Sequence, residues 1–130
     1  MRNRAAVFVI DKNKVLLFYR LKNAEEYYAV PGGGVESNEM PEQAAVRELK
    51  EETSLDITIC EKIGEFEADG NHQYFYIAKS WSGTPTFGGE EVERQSPTNV
   101  YRLEWVPIEK INNIDLRQEV RKMLLRYLNR

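Results

Sequence analysis

The chain has 130 residues, 42% of them hydrophobic and 30% charged, which suits one globular domain and excludes a disordered tract. Its formal net charge of −3 excludes the basic footprint expected of a protein that lives on duplex nucleic acid. A small anionic substrate is compatible with that balance only where a cation or a local basic cluster offsets the acidic groups.

Cys60 is the one cysteine, so no internal disulfide can form, and it reads as a small buried hydrophobe in a reducing, cytoplasmic setting. The N-terminal MRNRAAVFVIDKNK holds too short an apolar run for a signal peptide or a membrane span. The chain is therefore expected to work in the cytoplasm, without a membrane and as one domain over residues 1–130.

Residues 5–10 and 15–20 are apolar and β-prone around the polar turn 11–14, and read as a hairpin. Residues 26–30 read as a third strand, stopped by Pro31 and the run Gly32-Gly33-Gly34. Pro41 to Glu52 carries a helix signal: Pro41 suits the first helical position and the rest is helix-tolerant. Residues 57–67 and 72–79 read as strands joined by a turn at Asp69-Gly70-Asn71, and 100–106 as another strand. Ser80 to Asn99 is too polar for core. Leu116, Val120, Met123, Leu124, Tyr127 and Leu128 recur at helical spacing, with Asp115 and Gln118 resembling a capping box. The fold class expected is α+β, an α/β/α sandwich with a mixed sheet between helices.

On the first helix Glu48, Glu51 and Glu52 stand at i, i+3 and i+4 and share one face. Like charges that close repel, so a positive partner is expected. Mg²⁺ suits carboxylate oxygens and keeps waters and substrate phosphates in its shell, with Mn²⁺ as a substitute. Arg47, four residues before Glu51, can pair with it. On a helical wheel Glu52 falls about 20° from Ala45 and about 60° from Leu49, so the carboxylates border the apolar stripe. From spacing alone a metal site and a solvated acidic face both stay open. Gly32, Gly33 and Gly34 allow close backbone approach to a ligand or metal, or form an ordinary turn.

Gly33, five residues, Glu39, seven residues, then Arg47-Glu48-Leu49-Lys50-Glu51-Glu52-Thr53-Ser54-Leu55 resembles the Nudix box, G-x5-E-x7-R-E-U-x-E-E-x-G-U, with U a bulky aliphatic residue. Every specified position matches except the second glycine, which is Ser54. The resemblance implies Mg²⁺ ligands at Glu48, Glu51 and Glu52, a backbone carbonyl ligand at Gly32, an orienting role for Arg47, and Gly33 and Glu39 shaping the loop. It implies water attack on phosphorus in a nucleoside diphosphate linked to another moiety, an oxidised nucleoside triphosphate being one example. Glu48 is the first choice of general base and an acidic residue of the later loop the second. A non-catalytic nucleotide-sensing module on the same fold is the alternative, and a homodimer is compatible.

Two departures carry expectations. Ser54 falls where glycine would end the helix left-handed, at a cost on the order of 1 kcal/mol. Met40 leaves the helix without its usual Ser or Thr cap. Among weaker features, Glu90, Glu91 and Glu93 sit with Gly88 and Gly89 in a segment that either contacts substrate, together with Gly33 and Gly34, or is a solvated connector. His72 reads as structural, or as a phosphate contact. Tyr28, Phe75, Tyr76, Trp81 and Trp105 are core, sheet surface or a base-stacking platform. Arg117, Arg121, Lys122 and Arg126 read as the solvated face of the last helix.

Overall fold

A computed structural model describes residues 2–86, 96 and 98–129. In chain order the elements are β1 (Arg4–Phe8), β2 (Ile10–Asp11), β3 (Lys14–Lys22), β4 (Glu25–Ala29), β5 (Gly32–Gly34), α1 (Pro41–Thr53), β6 (Asp56–Ala68), β7 (Asn71–Ser82), β8 (Asn99–Pro107), a 3-10 turn (Ile108–Asn113) and α2 (Gln118–Leu128). No helix among the described residues is long and apolar enough to cross a membrane.

The central sheet runs β5-β1-β7-β6 and is mixed: β1 is antiparallel to β5 and parallel to β7, and β7 is antiparallel to β6. Residue parity in β1 divides the core. Ala5, Val7 and Val9 face α1 residues Ala44, Ala45 and Leu49, while Ala6 and Phe8 face α2 residues Val120, Met123 and Leu124. Strand β7 alternates the same way, with Tyr76 and Ala78 toward α1 and Phe75 and Ile77 toward α2. The helix-sheet-helix layering expected from the sequence is the observed one.

A second sheet, not anticipated from the sequence, centres on β3, which pairs antiparallel with β8 along one edge and with β2 and β4 along the other. This corrects the expected hairpin. Only Ile10–Asp11 turn back onto Lys14–Val15, through a loop with Lys12 and Asn13 at φ 51° and 63°. Both positive angles are those of a type I′ turn, whose twist suits a hairpin. The strand before it stays in the central sheet, because β5 and β7 flank it there.

Two further expectations change at α2. Its N-cap is Arg117 with no side-chain cap, so the Asp115–Gln118 capping box does not form. Arg121 is not on a solvated face: it donates to the carbonyls of Ile111, Ile114 and Leu116 at 3.2, 3.0 and 2.9 Å and fastens the preceding turn to the helix. Arg117 pairs with Asp69 at 2.9 Å, at the β6–β7 turn.

Candidate active site

Helix α1 starts without a Met40 side-chain cap, as expected, yet half of a capping box survives. The Met40 N–H donates to Gln43 Oε1 at 2.8 Å, satisfying one of the orphan amides at the helix start. The helix ends at Ser54, which takes φ 68° and ψ 8° and donates its N–H to Lys50 O at 2.9 Å. Serine thus occupies the left-handed position that suits glycine. Buried Thr53 secures the turn, its hydroxyl donating to Leu49 O at 2.6 Å. The Thr86 N–H donates to Thr53 O at 2.8 Å, so the chain beyond β7 leaves from this end of α1.

Arg47 organises the site. Its Nε and Nη2 donate to the two oxygens of Glu39 at 2.7 and 2.9 Å, Nη2 also donates to Gly34 O at 2.9 Å, and Nη1 donates to Glu48 Oε1 at 2.8 Å. Glu51 is reached at 3.4 Å by both oxygens, so the pairing expected between Arg47 and Glu51 is its loosest hydrogen-bonded contact. The Arg47 guanidinium holds the Glu39 carboxyl down at about 2, helped by the Glu36 N–H at 3.0 Å. Hydrogen bonding to Glu39 and Glu48 raises the arginine's own value, so it stays charged.

The glycine strand makes room for this. A Cβ at Gly33 would lie 2.2 Å from Glu48 Oε2, so that carboxylate rests directly against the Gly33 backbone. A Cβ at Gly32 would lie 2.3 Å from Ala5 O, because β5 packs tightly on β1. Close approach, more than turn flexibility, accounts for both. At Gly34 the neighbour is the Arg2 guanidinium, 2.5 Å from where a Cβ would stand.

The three glutamates differ in setting. The Glu48 side chain is 15% exposed and that of Glu51 57%, while Glu52 is half-buried. The site is partly enclosed, as the wheel suggests, with Glu48 on the inner side. Part of the positive charge that the spacing demands comes from Arg47 itself. Glu48 and Glu51 meet at one nitrogen, Arg47 Nη1, so two hard carboxylates share a small volume beside a third. No three His, Cys, Asp or Glu side chains among the described residues form a ready-made cage. Oxygen donors of this kind fit a hard divalent cation that fills the rest of its shell with water and phosphate oxygens.

A cavity of about 420 Å³ opens on the α2 face of the sheet, against β1, β4 and β7. Tyr27, Tyr28, Phe66 and Phe75 supply aromatic walls, and Arg4 and Gln73 polar lining. Sequence reasoning had no route to this cavity, because it is assembled from strands distant in the chain. The Tyr28 hydroxyl donates to Glu104 at 2.9 Å, and burial with that bond pushes it up to about 12.

A family model described as the NUDIX domain matches residues 1–127. The chain belongs to the Nudix hydrolase family. It is 34% identical over 89 residues to the 8-oxo-dGTP diphosphatase of Proteus vulgaris, covering 63% of this chain and 80% of that one. It is 51% identical over 49 residues to the ADP-ribose pyrophosphatase of Methanocaldococcus jannaschii, but over only 36% of this chain and 29% of that one. A structure from work on MutT of Aliivibrio salmonicida and Vibrio cholerae superimposes with a TM-score of 0.77 at 24% identity, covering 97% of this chain and 98% of the other. Nudix hydrolases generally need a divalent metal ion, and Nudix relatives act on small nucleotide substrates.

The weaker candidates sort as follows. Glu90, Glu91 and Glu93 lie outside the described residues. His72 is the second residue of β7, with Glu65 and Glu67 each 3.5 Å away and its ring against Tyr74, an environment that fits the structural reading. Cys60 is half-buried instead of fully buried, and desolvation still pushes its thiol up to about 11. Trp81 and Trp105 pack on one another with ring centroids 6.1 Å apart, at the edge of the α1-side core.

Proposed function

We propose that residues 1–130 act as one domain that hydrolyses a phosphoanhydride bond in a nucleoside diphosphate derivative with Mg²⁺, Mn²⁺ serving as a substitute. The observation that carries this reading is the Arg47 fan, which draws Glu39, Glu48, Glu51 and the Gly34 carbonyl into one cluster beside the glycine strand. Glu48, Glu51, Glu52 and the Gly32 carbonyl would hold the ion. Bound there, it would polarise phosphoryl oxygens and lower the pKa of a coordinated water.

The chain's own residues do the rest. Arg47 fixes the Glu48 rotamer through Oε1, and Gly33 leaves space for the carboxylate to lie flat on the backbone. Glu48 is the general base of choice because, of the two proposed metal ligands that Arg47 contacts, it is more enclosed than Glu51. One of Glu90, Glu91 and Glu93 is the second candidate. The nucleoside sits in the aromatic-walled cavity, which shares β1 with the glycine strand: Ala6 lines the cavity and pairs with Gly32. The relatives named above differ in substrate, which supports a specificity set outside the shared box.

The test is a turnover screen with Mg²⁺ against dNTPs, oxidised dNTPs, ADP-ribose, NADH, sugar nucleotides and dinucleoside polyphosphates, repeated with Glu51→Gln and Glu52→Gln. Hydrolysis of at least one class, lost in both variants, is expected. Activity that survives both rejects the assigned site, and binding without turnover across the panel rejects the enzyme in favour of a nucleotide sensor.

A further inference from the structure

Two walls of the 420 Å³ cavity meet at a hydrogen bond: the Tyr28 N–H, on β4, donates to Asp115 O, in the loop before α2, at 2.7 Å. Each side of that seam is held by a residue that does not line the cavity. Behind the loop, Arg121 Nη2 donates to Ile114 O and Leu116 O at 3.0 and 2.9 Å, so one guanidinium fixes the carbonyls on both sides of Asp115. Its Nε reaches Ile111 O at 3.2 Å, and no carboxylate pairs with it among the described residues. An arginine committed to neutral carbonyls fixes backbone geometry through the rigid fork of its donors. Behind β4, Glu104 Oε2 accepts from the Tyr28 hydroxyl at 2.9 Å and Oε1 from Arg102 Nε at 2.6 Å, so both carboxylate oxygens are engaged. The Arg102 guanidinium lies over the Tyr19 ring at 4.1 Å, and that ring meets Tyr28 edge-on with centroids 5.3 Å apart.

We propose that Arg121 and Glu104 are positioning residues for the nucleotide: through the Tyr28–Asp115 seam they hold the cavity's two walls at the separation that binding needs. This deepens the proposed function and rests on its placement of the nucleoside in the cavity. Groups fixed before a ligand arrives spare it the cost of ordering them, so the clamp acts on affinity. Helix α1 and its acidic groups pack on the other face of the central sheet and keep their own anchor in Arg47. Loosening the clamp therefore raises KM and leaves kcat alone. The two arms end at one hydrogen bond. Cutting either arm frees the same seam, and cutting both adds little.

The experiment is calorimetric titration of dGMP, dAMP, dCMP and dTMP into the protein in Mg²⁺ buffer, with KM and kcat for the compound that wild type hydrolyses best. Arg121→Met and Glu104→Leu are each expected to weaken the tightest-bound monophosphate by about threefold to tenfold. KM should rise by the same factor, with kcat within about twofold of wild type. The double variant should fall at least about twofold short of the product of the two single effects. Glu104→Gln keeps an acceptor for the Tyr28 hydroxyl and should bind like wild type, a rescue that a general loss of stability does not give. Unchanged affinity in Glu104→Leu, multiplicative effects in the double variant, a kcat that falls while KM stays, or no binding of any monophosphate by wild type at millimolar concentration overturns the inference. Where Arg121→Met does not fold, Glu104→Leu set against Glu104→Gln decides alone. Hydrolysis by wild type with unchanged affinity in the variants defeats this inference alone, and altered affinity in a protein that hydrolyses nothing defeats the enzyme reading alone.

Discussion

Arg47 grips Glu39 through two parallel hydrogen bonds, Nε to Oε2 at 2.7 Å and Nη2 to Oε1 at 2.9 Å, and so ties the helix to the loop that precedes it. A lysine cannot reproduce that fork while also reaching Glu48 and Gly34 O. Arg47→Lys is expected to destabilise the fold by about 1–3 kcal/mol, measured by urea unfolding, and to cut turnover at least tenfold. Wild-type turnover in this variant would mean that the fan does not set the glutamate geometry.

The depressed Glu39 carboxyl gives a pH signature. Its value of about 2 in the folded protein lies below the ordinary 4.5, so the unfolded chain takes up the proton first. The stabilisation is complete above the ordinary value and is lost as pH falls toward the folded one. The stability gap between wild type and Glu39→Gln should therefore be constant from neutral pH to about 5, then close between about 4.5 and 2. A gap that persists at the acid end would contradict the Arg47–Glu39 bond.

Neighbouring glycines separate folding from chemistry. In Gly33→Ala the three atoms nearest the new methyl all belong to the Glu48 carboxylate, the closest at 2.2 Å, so that side-chain end must move while the strand stays. Turnover should fall more than tenfold with little change in melting. In Gly32→Ala the methyl meets Ala5 O at 2.3 Å and Ala6 Cα at 2.6 Å, both backbone, and stability should drop by about 3 kcal/mol or more. Matching melting temperatures for the two variants would refute the packing described for β5.

Ser54 holds φ 68°, a conformation that costs a side-chain residue what glycine avoids. Ser54→Gly should raise stability by about 0.5–1 kcal/mol in chemical denaturation and leave turnover unchanged. A destabilised variant would show that the serine side chain contributes something its backbone geometry does not reveal.

Much of the site was legible because it is local. Glu48, Glu51, Glu52 and Arg47 fall on one helix, where spacing dictates neighbourhood, and Ser54 and Met40 declare their cap positions by residue type. Asp69-Gly70 likewise announces the turn between β6 and β7, with φ values of 55° and 79°. The rest depends on partners far apart in the chain. The pairing of β1 with β7 joins residues about seventy positions apart, and no local pattern reports it. For the same reason Arg4 and Gln73 read as unremarkable strand residues until the register sets them side by side. Arg121 looks like a surface cation because sequence does not show the carbonyls it reaches.

Strand β1 is shared by two neighbourhoods that never touch the same side of it. Odd-numbered positions support the helix that carries the acidic groups, and even-numbered positions furnish the opposite compartment. Substitutions at Arg4 or Ala6 can therefore remodel what the compartment admits while leaving the hydrolytic helix seated. An ancestral scaffold of this kind could change its diet one even position at a time.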